Sequence, residues 1–179
     1  MESECTDPGS LDFWSFIDFA IGRASNLVPG IDREAMRLVL TLHRTASMVV
    51  YDMESTVHRP RGLSWPGFRV LFAVWLASPL EAKRVAELTG MSRAAVSALL
   101  NTLAQDDLVL KERAVHDGRA VQVSLTERGE AAIAETFQAH NAREQDWASA
   151  LTAEEQQTLI RLLGKINAGA GRIKAKQRM

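Results

Sequence analysis

The stretch that decides the fold is residues 79–129, PLEAKRVAELTGMSRAAVSALLNTLAQDDLVLKERAVHDGRAVQVSLTERG. It opens with a short helical pattern at about 82–89. Gly90 can end this helix, because glycine readily adopts the left-handed conformation that often follows a helix. Ser92 is a typical N-cap and predicts a second helix to about Gln105. The segment therefore begins as a helix, a tight turn and a second helix.

The hydrophobic period then changes from that of a helix to that of a strand. Val121, Val123 and Leu125 alternate with polar residues, and a period of two is typical of a half-buried strand. The stretch 108–113 is its expected partner, with the turn at 116–118. The sequence thus predicts a β-hairpin directly after the two helices.

The second helix has an apolar side and a side of small residues. At helical spacing the apolar side holds Val96, Leu99, Leu100 and Leu103. The opposite side holds Ala94, Ala98, Asn101 and Gln105, with Ser97 on the flank. Small side chains allow close approach to the major groove, where Ser and Asn can hydrogen-bond base edges. An alanine-rich surface helix without function has the same pattern, and the hairpin that follows favours DNA binding.

Basic residues at the helix starts and the hairpin tip suit a DNA backbone and a minor groove. Free N–H groups at the start of the second helix favour phosphate, and an arginine at the tip favours the negative potential of a minor groove. Asp117 can orient Arg119 by a charge-assisted hydrogen bond, or it can simply form a good turn with Gly118. The candidate DNA contacts are Lys83, Arg84, Ser92, Arg93, Ala94, Ser97, Asn101, Arg113, His116, Asp117 and Arg119.

Helical patterns flank this segment on both sides, so the expected fold is mainly α with a small β-hairpin wing (α+β). The predicted helices lie at about 11–24, 32–58, 64–77, 126–150 and 152–167. Their expected N-caps are Ser10, Asp32, Ser64 and Thr152, the last in a capping box with Glu155, and Thr126 restarts the helix after the hairpin. The formal net charge of −1 gives no global indication of nucleic-acid binding.

The quoted stretch resembles the winged helix-turn-helix core of the MarR family of transcriptional regulators. The resemblance lies in LTGMSRAAVSALLNTLAQDDLV, the Asp117-x-Arg119 tip and VSLTERG, and it extends loosely over residues 31–168. It implies a dimer with two DNA-binding lobes. The family's wing arginine maps onto Arg119 and its aspartate partner onto Asp117. Its recognition-helix contacts map onto Ser92, Arg93, Ala94, Ser97 and Asn101.

The resemblance also implies a domain division. Residues 31–78 and 126–175 are expected to form a helical dimerisation region, and residues 79–129 the DNA-binding lobe. Residues 1–30 depart from the family pattern as an extension with an extra helix. Apolar residues that need a partner surface support the dimer: Leu38, Leu42, Val49, Leu159, Leu162, Leu163 and Ile166. A two-fold dimer is expected to bind a pseudo-palindromic double-stranded operator, as a repressor that a small organic ligand releases.

An aromatic carboxylate such as a benzoate, cinnamate or indole acid is the expected ligand. Aromatic walls with one or two cations suit a flat anion. The candidate residues are His43, Arg44, Ser47, Tyr51, Trp65, Phe68, Arg69, Phe72 and Trp75. The stretch GLSWPGFRVLFAVWLASPLEA is similar to members of the family tied to aromatic-acid catabolism. The alternative is that these aromatic residues are simply core.

Other signals and functions remain as alternatives. Cys5 is the single cysteine and the stretch 32–59 has none, so thiol sensing is not expected. A metal-responsive regulator of the same fold is an alternative, with His140 and Glu144 at i, i+4 on one helix and His43 and Glu54 elsewhere. A helical interaction module without DNA binding is another.

An enzyme is not expected. The sequence shows no phosphate-binding glycine loop, nucleophile elbow or paired-carboxylate motif, and no cofactor is predicted. It also shows no signal-peptide pattern and no apolar stretch of about 18 residues, so a cytoplasmic protein without a membrane partner is expected.

Overall fold

The computed structural model describes residues 8–12, 14–113 and 121–173. The chain divides into two compact units, Met1–Tyr51 and Asp52–Met179, which are taken separately below. The helices are α1 (Ser15–Leu27), α2 (Arg33–Asp52), α3 (Trp65–Ala77), α4 (Ala82–Thr89), α5 (Arg93–Gln105), α6 (Glu127–Ala148) and α7 (Ala153–Gly169). The strands are β1 (Leu80–Glu81), β2 (Val109–Arg113) and β3 (Val121–Leu125). The predicted mainly helical fold with a small β-element is confirmed.

The first unit contains α1, whose start differs from the prediction. The helix begins at Ser15 rather than at residue 11, and Ser10 is not its cap. The Asp12 carboxylate accepts the N–H groups of Trp14 and Ser15 at 2.9 and 2.7 Å. Hydrogen bonds from Ser15 and Trp14 hold the pKa of Asp12 below its usual range. An aspartate that accepts two backbone N–H groups fixes the chain direction here, which hydrophobic spacing alone does not reveal.

The rest of the first unit is nearly all of α2, which begins as predicted. Asp32 accepts the N–H of Ala35 at 2.9 Å, as an N-cap does. Two arginines of α2 contact α1. Arg37 forms an ion pair with Asp18, and the Arg44 guanidinium lies 4.9 Å from the centre of the Phe16 ring.

The α-helical geometry of α2 ends at Asp52, six residues before the predicted end at His58. Residues Met53–His58 form a wider π-helical turn, followed by a 3-10 turn at Arg59–Arg61. The hydroxyls of Ser55 and Thr56 both donate to the Asp52 carbonyl oxygen, at 3.2 and 2.7 Å. Because they compete for this acceptor, the regular helical ladder is disturbed there.

The core of the second unit lies between α3, α4, α5, α6 and the sheet. Ser64 caps α3 as predicted, accepting the N–H of Gly67 at 3.1 Å. Most residues of this hydrophobic core come from one apolar side of each helix and from β3. The fully buried members include Val70, Leu71, Val74, Val85, Val96, Leu100, Val123 and Ile133. Burial of this side of α5 leaves its other side available for solvent or a partner.

The sheet has three antiparallel strands in the order β1-β3-β2. The predicted hairpin pairs Val109 with Leu125 and Arg113 with Val121. Strand β1 was not predicted, and it pairs Leu80 with Val123. Two residues are too few to show the alternation by which a strand is recognised.

The turn between α5 and β2 is fixed against the start of α6. The Thr126 hydroxyl donates to the Asp107 carbonyl oxygen at 2.7 Å, and Oγ1 of Thr126 accepts the N–H of Gly129 at 2.9 Å. A Cβ on Gly129 would lie 1.9 Å from the Leu108 carbonyl oxygen. Glycine is therefore required here for close approach of two backbones, and this contact sets the direction of the hairpin relative to α5.

Helix α7 begins with the predicted capping box, in which Thr152 and Glu155 each bond the other's backbone N–H. None of its seventeen residues, all of them described, is buried. Leu159, Ile160, Leu162 and Ile166 are all exposed. Within the described part of the chain, no helix is both long enough and apolar enough to cross a membrane.

Candidate nucleic-acid interface

The turn between α4 and α5 is built by two local caps. Gly90 has a left-handed φ of 65° and follows α4, as predicted. The Met91 N–H then donates to the Ala86 carbonyl oxygen at 3.2 Å. Ser92 accepts the N–H of Ala95 at 3.2 Å and begins α5. These bonds satisfy groups that helix ends leave free, so the two helices form a compact helix-turn-helix.

Helix α5 separates into the two sides that the sequence predicts. Val96, Leu100 and Leu103 are buried in the core, and Leu99 is half-buried. The opposite side is exposed and consists mainly of small residues: Ser92, Arg93, Ala94, Ser97, Ala98 and Asn101. The helix therefore presents a shallow surface that a DNA groove can approach closely.

A polar contact joins this surface to the sheet. Lys111 of β2 donates from Nζ to Oδ1 of Asn101 on α5. Sequence reasoning named Asn101 but missed Lys111, because the two residues are ten apart and belong to different elements.

The two cations at the start of α4 have different surroundings. Arg84 forms an ion pair with Glu87 at 2.9 Å, whereas Lys83 is exposed. The hydrogen bond from Arg84, with Lys83 and Arg93 near by, holds the pKa of Glu87 below its usual range. Part of the positive charge of Arg84 is thus balanced within the chain.

The wing is described only at its base. Arg113 belongs to β2, and its backbone pairs with Val121. The predicted tip residues His116, Asp117 and Arg119 lie outside the described residues, as does Cys5. Their predicted roles are therefore not tested by the structure.

The candidate ligand residues on α3 make two kinds of contact. Arg69 donates to the Thr89 carbonyl oxygen at the end of α4, so it links α3 to the helix-turn-helix. The aromatic residues form a series of ring contacts with Phe137 of α6. The distances between ring centres are 5.8 Å for Phe68–Phe72, 5.3 Å for Phe72–Phe137 and 5.6 Å for Trp75–Phe137. These rings contribute to the core, which was the alternative interpretation.

The aromatic series continues into two histidines that sequence reasoning did not place together. His58 stacks on Phe68 with ring centres 4.4 Å apart. Its Nε2 lies 3.2 Å from Nδ1 of His140, whose Nε2 lies 3.2 Å from Glu144. The His140–Glu144 spacing of four was visible in the sequence, but the 82 residues that separate His58 from His140 carry no local signal.

His58 lies at the buried end of this series. Its Nδ1 has no hydrogen-bond partner among the described residues. Burial, and then the proximity of His140, lower the pKa of His58 from 6.5 to about 4. The two histidines contact each other and His140 also contacts Glu144, and no group of three potential metal ligands occurs among the described residues.

The remaining candidate ligand residues lie on α2 in the first unit. His43, Ser47 and Tyr51 are exposed, and Arg44 is half-buried. His43, Ser47 and Tyr51 occur four residues apart and Arg44 lies three before Ser47, which places all four along one side of the helix. Their predicted role in ligand binding stays a prediction.

A helix-turn-helix whose second helix exposes small residues, followed by an antiparallel hairpin, defines a winged helix DNA-binding protein. The family model described as "MarR family" matches residues 61–120. The chain is 32% identical over 139 residues to the uncharacterised HTH-type transcriptional regulator YwaE of Bacillus subtilis, covering 78% of this chain and 81% of that one.

Solved structures show the same fold. The transcriptional repressor CouR bound to a 23-mer DNA duplex superimposes with a TM-score of 0.68 at 24% identity, covering 73% of this chain and 92% of that one. Bordetella bronchiseptica BpsR, whose DNA binding is regulated by 6-hydroxynicotinic acid, gives a TM-score of 0.67 at 23% identity, covering 73% and 98%.

The chain belongs to the MarR family of transcriptional regulators. It is therefore a DNA-binding regulator rather than an enzyme, as the sequence predicted. The class follows from the helix-turn-helix and the sheet, and the family from similarity that extends well beyond them.

Proposed function

We propose that the protein is a homodimeric repressor that binds a pseudo-palindromic operator. The observation that carries this proposal is the exposed small-residue side of α5 above a buried apolar side. In the proposed complex this side of α5 lies in the major groove, with its N-terminal residues Ser92 and Arg93 near a phosphate. Residues 79–129 act as the DNA-binding lobe. The wing places Arg119 in the adjacent minor groove, where Asp117 orients it.

The dimer is supported by apolar residues that the chain itself leaves exposed. On α7 these are Leu159, Ile160, Leu162 and Ile166. On α2, in the other unit, Leu38, Val39 and Leu42 are exposed as well. Contiguous apolar residues of this kind usually mark a protein interface. Two lobes related by a two-fold axis are expected to bind half-sites about one helical turn apart.

Binding to the operator tests the DNA proposal. The full chain is titrated against duplexes from the region upstream of its own gene, and footprinting defines the protected site. Arg119→Ala is expected to weaken binding broadly across sequences if Arg119 reads groove shape, and at one base pair if it reads a base edge. Gln138→Ala, an exposed change on α6, is the control. Full affinity of Arg119→Ala would contradict the role of the wing.

The proposed signal is a small organic acid, with an aromatic carboxylate as the first choice, that releases the protein from DNA in the cytoplasm. His43 and Arg44 supply polar and cationic groups on α2, and Trp65, Phe72 and Trp75 are only partly buried on α3. The DNA binding of BpsR is regulated by 6-hydroxynicotinic acid, which is an aromatic carboxylic acid. At 23% sequence identity, BpsR resembles this chain in fold alone.

A matched ligand screen tests this second proposal. Benzoates, cinnamates and indole acids are compared with their uncharged amides by thermal shift and calorimetry, since only the acids offer a carboxylate to Arg44. Binding of the acids, weakened by Arg44→Gln, and release of DNA would support the proposal. Absence of binding by every acid would refute it. A titration with Zn²⁺ and Ni²⁺ in the same assay distinguishes the metal-responsive alternative.

A further inference from the structure

We propose that Lys111 is a positioning residue for Asn101, and that the pair makes the protein select a hydrogen-bond acceptor at one base position of each half-site. The inference rests on the proposed function, in which the exposed side of α5 faces the major groove. It goes further by assigning a role to a strand residue and a chemical preference to one contact.

The first step concerns the orientation of the amide. An ammonium group has three donors and no acceptor, so only the oxygen of an asparagine side chain can face it. The contact between Lys111 Nζ and Asn101 Oδ1 therefore fixes the orientation of the amide, with its oxygen toward Lys111. The NH2 group of Asn101 is turned away from Lys111. A charge-assisted hydrogen bond is stronger than a neutral one, so the amide is held against rotation.

The second step concerns the position of the pair. Asn101 lies one turn after Ala98 on the exposed side of α5, at the spacing that places two residues on one face. Lys111 is held in the middle of β2, where its backbone is paired opposite Val123, the buried residue of β3. The lysine is thus anchored on the sheet, while the asparagine lies on the surface proposed to meet DNA.

The third step converts orientation into base preference. An unrestrained asparagine offers both a donor and an acceptor, and it typically binds adenine through both. The contact turns the oxygen toward Lys111, so the NH2 group is the part presented to a base. It suits purine N7, guanine O6 or thymine O4 and repels the amino group that cytosine presents in the major groove. The pair is therefore expected to exclude cytosine at the base it faces.

The experiment selects binding sites from a random duplex library with the full-length protein and four variants. Asn101→Ala removes the amide, Lys111→Met removes the ammonium, and the double variant removes both. Lys111→Arg keeps a donor and is the conservative rescue. Thermal midpoints confirm that each variant is folded.

The wild type is expected to exclude cytosine at one position of each half-site, and Lys111→Arg to retain that preference. Each single variant is expected to lose the preference and about tenfold in affinity, within the range for a good base contact. The double variant is expected to bind within about twofold of Asn101→Ala, because coupled residues do not act additively.

Three outcomes would overturn the inference. The first is additive losses in the double variant, and the second is unchanged base preference in Asn101→Ala. The third is a uniform loss in Lys111→Met with a salt dependence reduced by about one ion, which is the behaviour of a phosphate contact. Failure of the proposed function is distinguishable, because Ala98→Glu on the same face would then bind the selected sites as well as the wild type does.

Discussion

Helices α5 and α7 belong to the same unit and differ in what they expose. Helix α5 buries Val96, Leu100 and Leu103, and its outer side consists of small residues. Helix α7 has none of its described residues buried, and it exposes leucine and isoleucine. Burial of apolar area is worth about 25 cal/mol per Å². The apolar side of α5 is therefore already satisfied within the chain, whereas that of α7 still gains from another protein surface.

This difference separates two kinds of partner. A shallow polar side on a rigid core suits a nucleic acid, which offers a groove and charged phosphates. A row of large apolar side chains suits a second protein chain. The sum of the charges, −1, distinguishes neither surface, so the proposal of DNA for α5 and of a second chain for α7 rests on the placement of side chains.

The largest expected effect comes from α7. Replacing Leu162 and Ile166 with glutamate places two charges in the proposed dimer surface, so we expect a monomer by light scattering. Operator affinity is expected to fall at least several hundredfold, because loss of bivalent binding costs about 10²- to 10⁴-fold.

The control for α7 places two glutamates on the opposite side of the same helix, as Gln157→Glu with Arg161→Glu. By helical spacing these positions lie away from Leu162 and Ile166, and the control is expected to stay dimeric. If the wild-type protein were already monomeric at micromolar concentration, the proposal that α7 packs against a second copy of the chain would be contradicted.

The next effect in size comes from the exposed side of α5. Ala98→Glu introduces a negative charge facing the phosphates, and like charges brought together cost several kcal/mol. We expect a loss of operator affinity of about 100-fold with the dimer and the thermal midpoint unchanged. Ala134→Glu makes the same change at an exposed position of α6 and serves as control. Equal losses in both variants would mean that α5 has no special relation to DNA.

Particular residues explain how far the sequence predicts this contrast. Ser64, Ser92 and Thr152 each cap the helix that follows, and each was identified because a cap bonds to a residue three positions away. The two sides of α5 were predicted for the same reason, since helical spacing is local. The predicted start of α1 was wrong, because the choice between Ser10 and Asp12 depends on which side chain reaches the backbone.

The contacts that were missed all join distant parts of the chain. Strand β1 depends on pairing with Val123, 43 positions further on, and Lys111 meets Asn101 across two elements. The His58–His140 contact depends on how the chain after α2 packs on α6. Residue periodicity carries no information on such pairs, so they had to come from the three-dimensional structure.

The third prediction concerns His58, which packs on Phe68 of the hydrophobic core beneath α5. His58 has a pKa of about 4 when folded, against 6.5 ordinarily. Between these values the unfolded chain binds the proton more readily, so acidification favours unfolding. The free energy of unfolding is expected to be constant above about pH 6.5 and to fall by about 2–3 kcal/mol toward pH 4. Urea titrations at successive pH values measure this change.

The matched variants for this prediction are His58→Phe and His43→Gln. The phenylalanine can stack on Phe68 but does not titrate, so the part of the slope due to His58 is expected to disappear. His43 is exposed on α2, and its replacement is expected to leave the slope intact. A slope that survives in His58→Phe would assign the acid sensitivity to other groups.

The smallest expected effects come from the N-caps of the two helices. Ser92→Ala and Thr152→Ala each remove a cap worth about 1 kcal/mol. Because α5 is part of the core, Ser92→Ala is expected to lower the free energy of unfolding of the second unit by about this amount. Thr152→Ala is expected instead to raise amide hydrogen exchange in α7 alone, since α7 buries no residue in its own chain. If Thr152→Ala destabilised the core of α3–α6 as much as Ser92→Ala does, α7 would have to be packed within its own chain. The contrast between the two helices would then be lost.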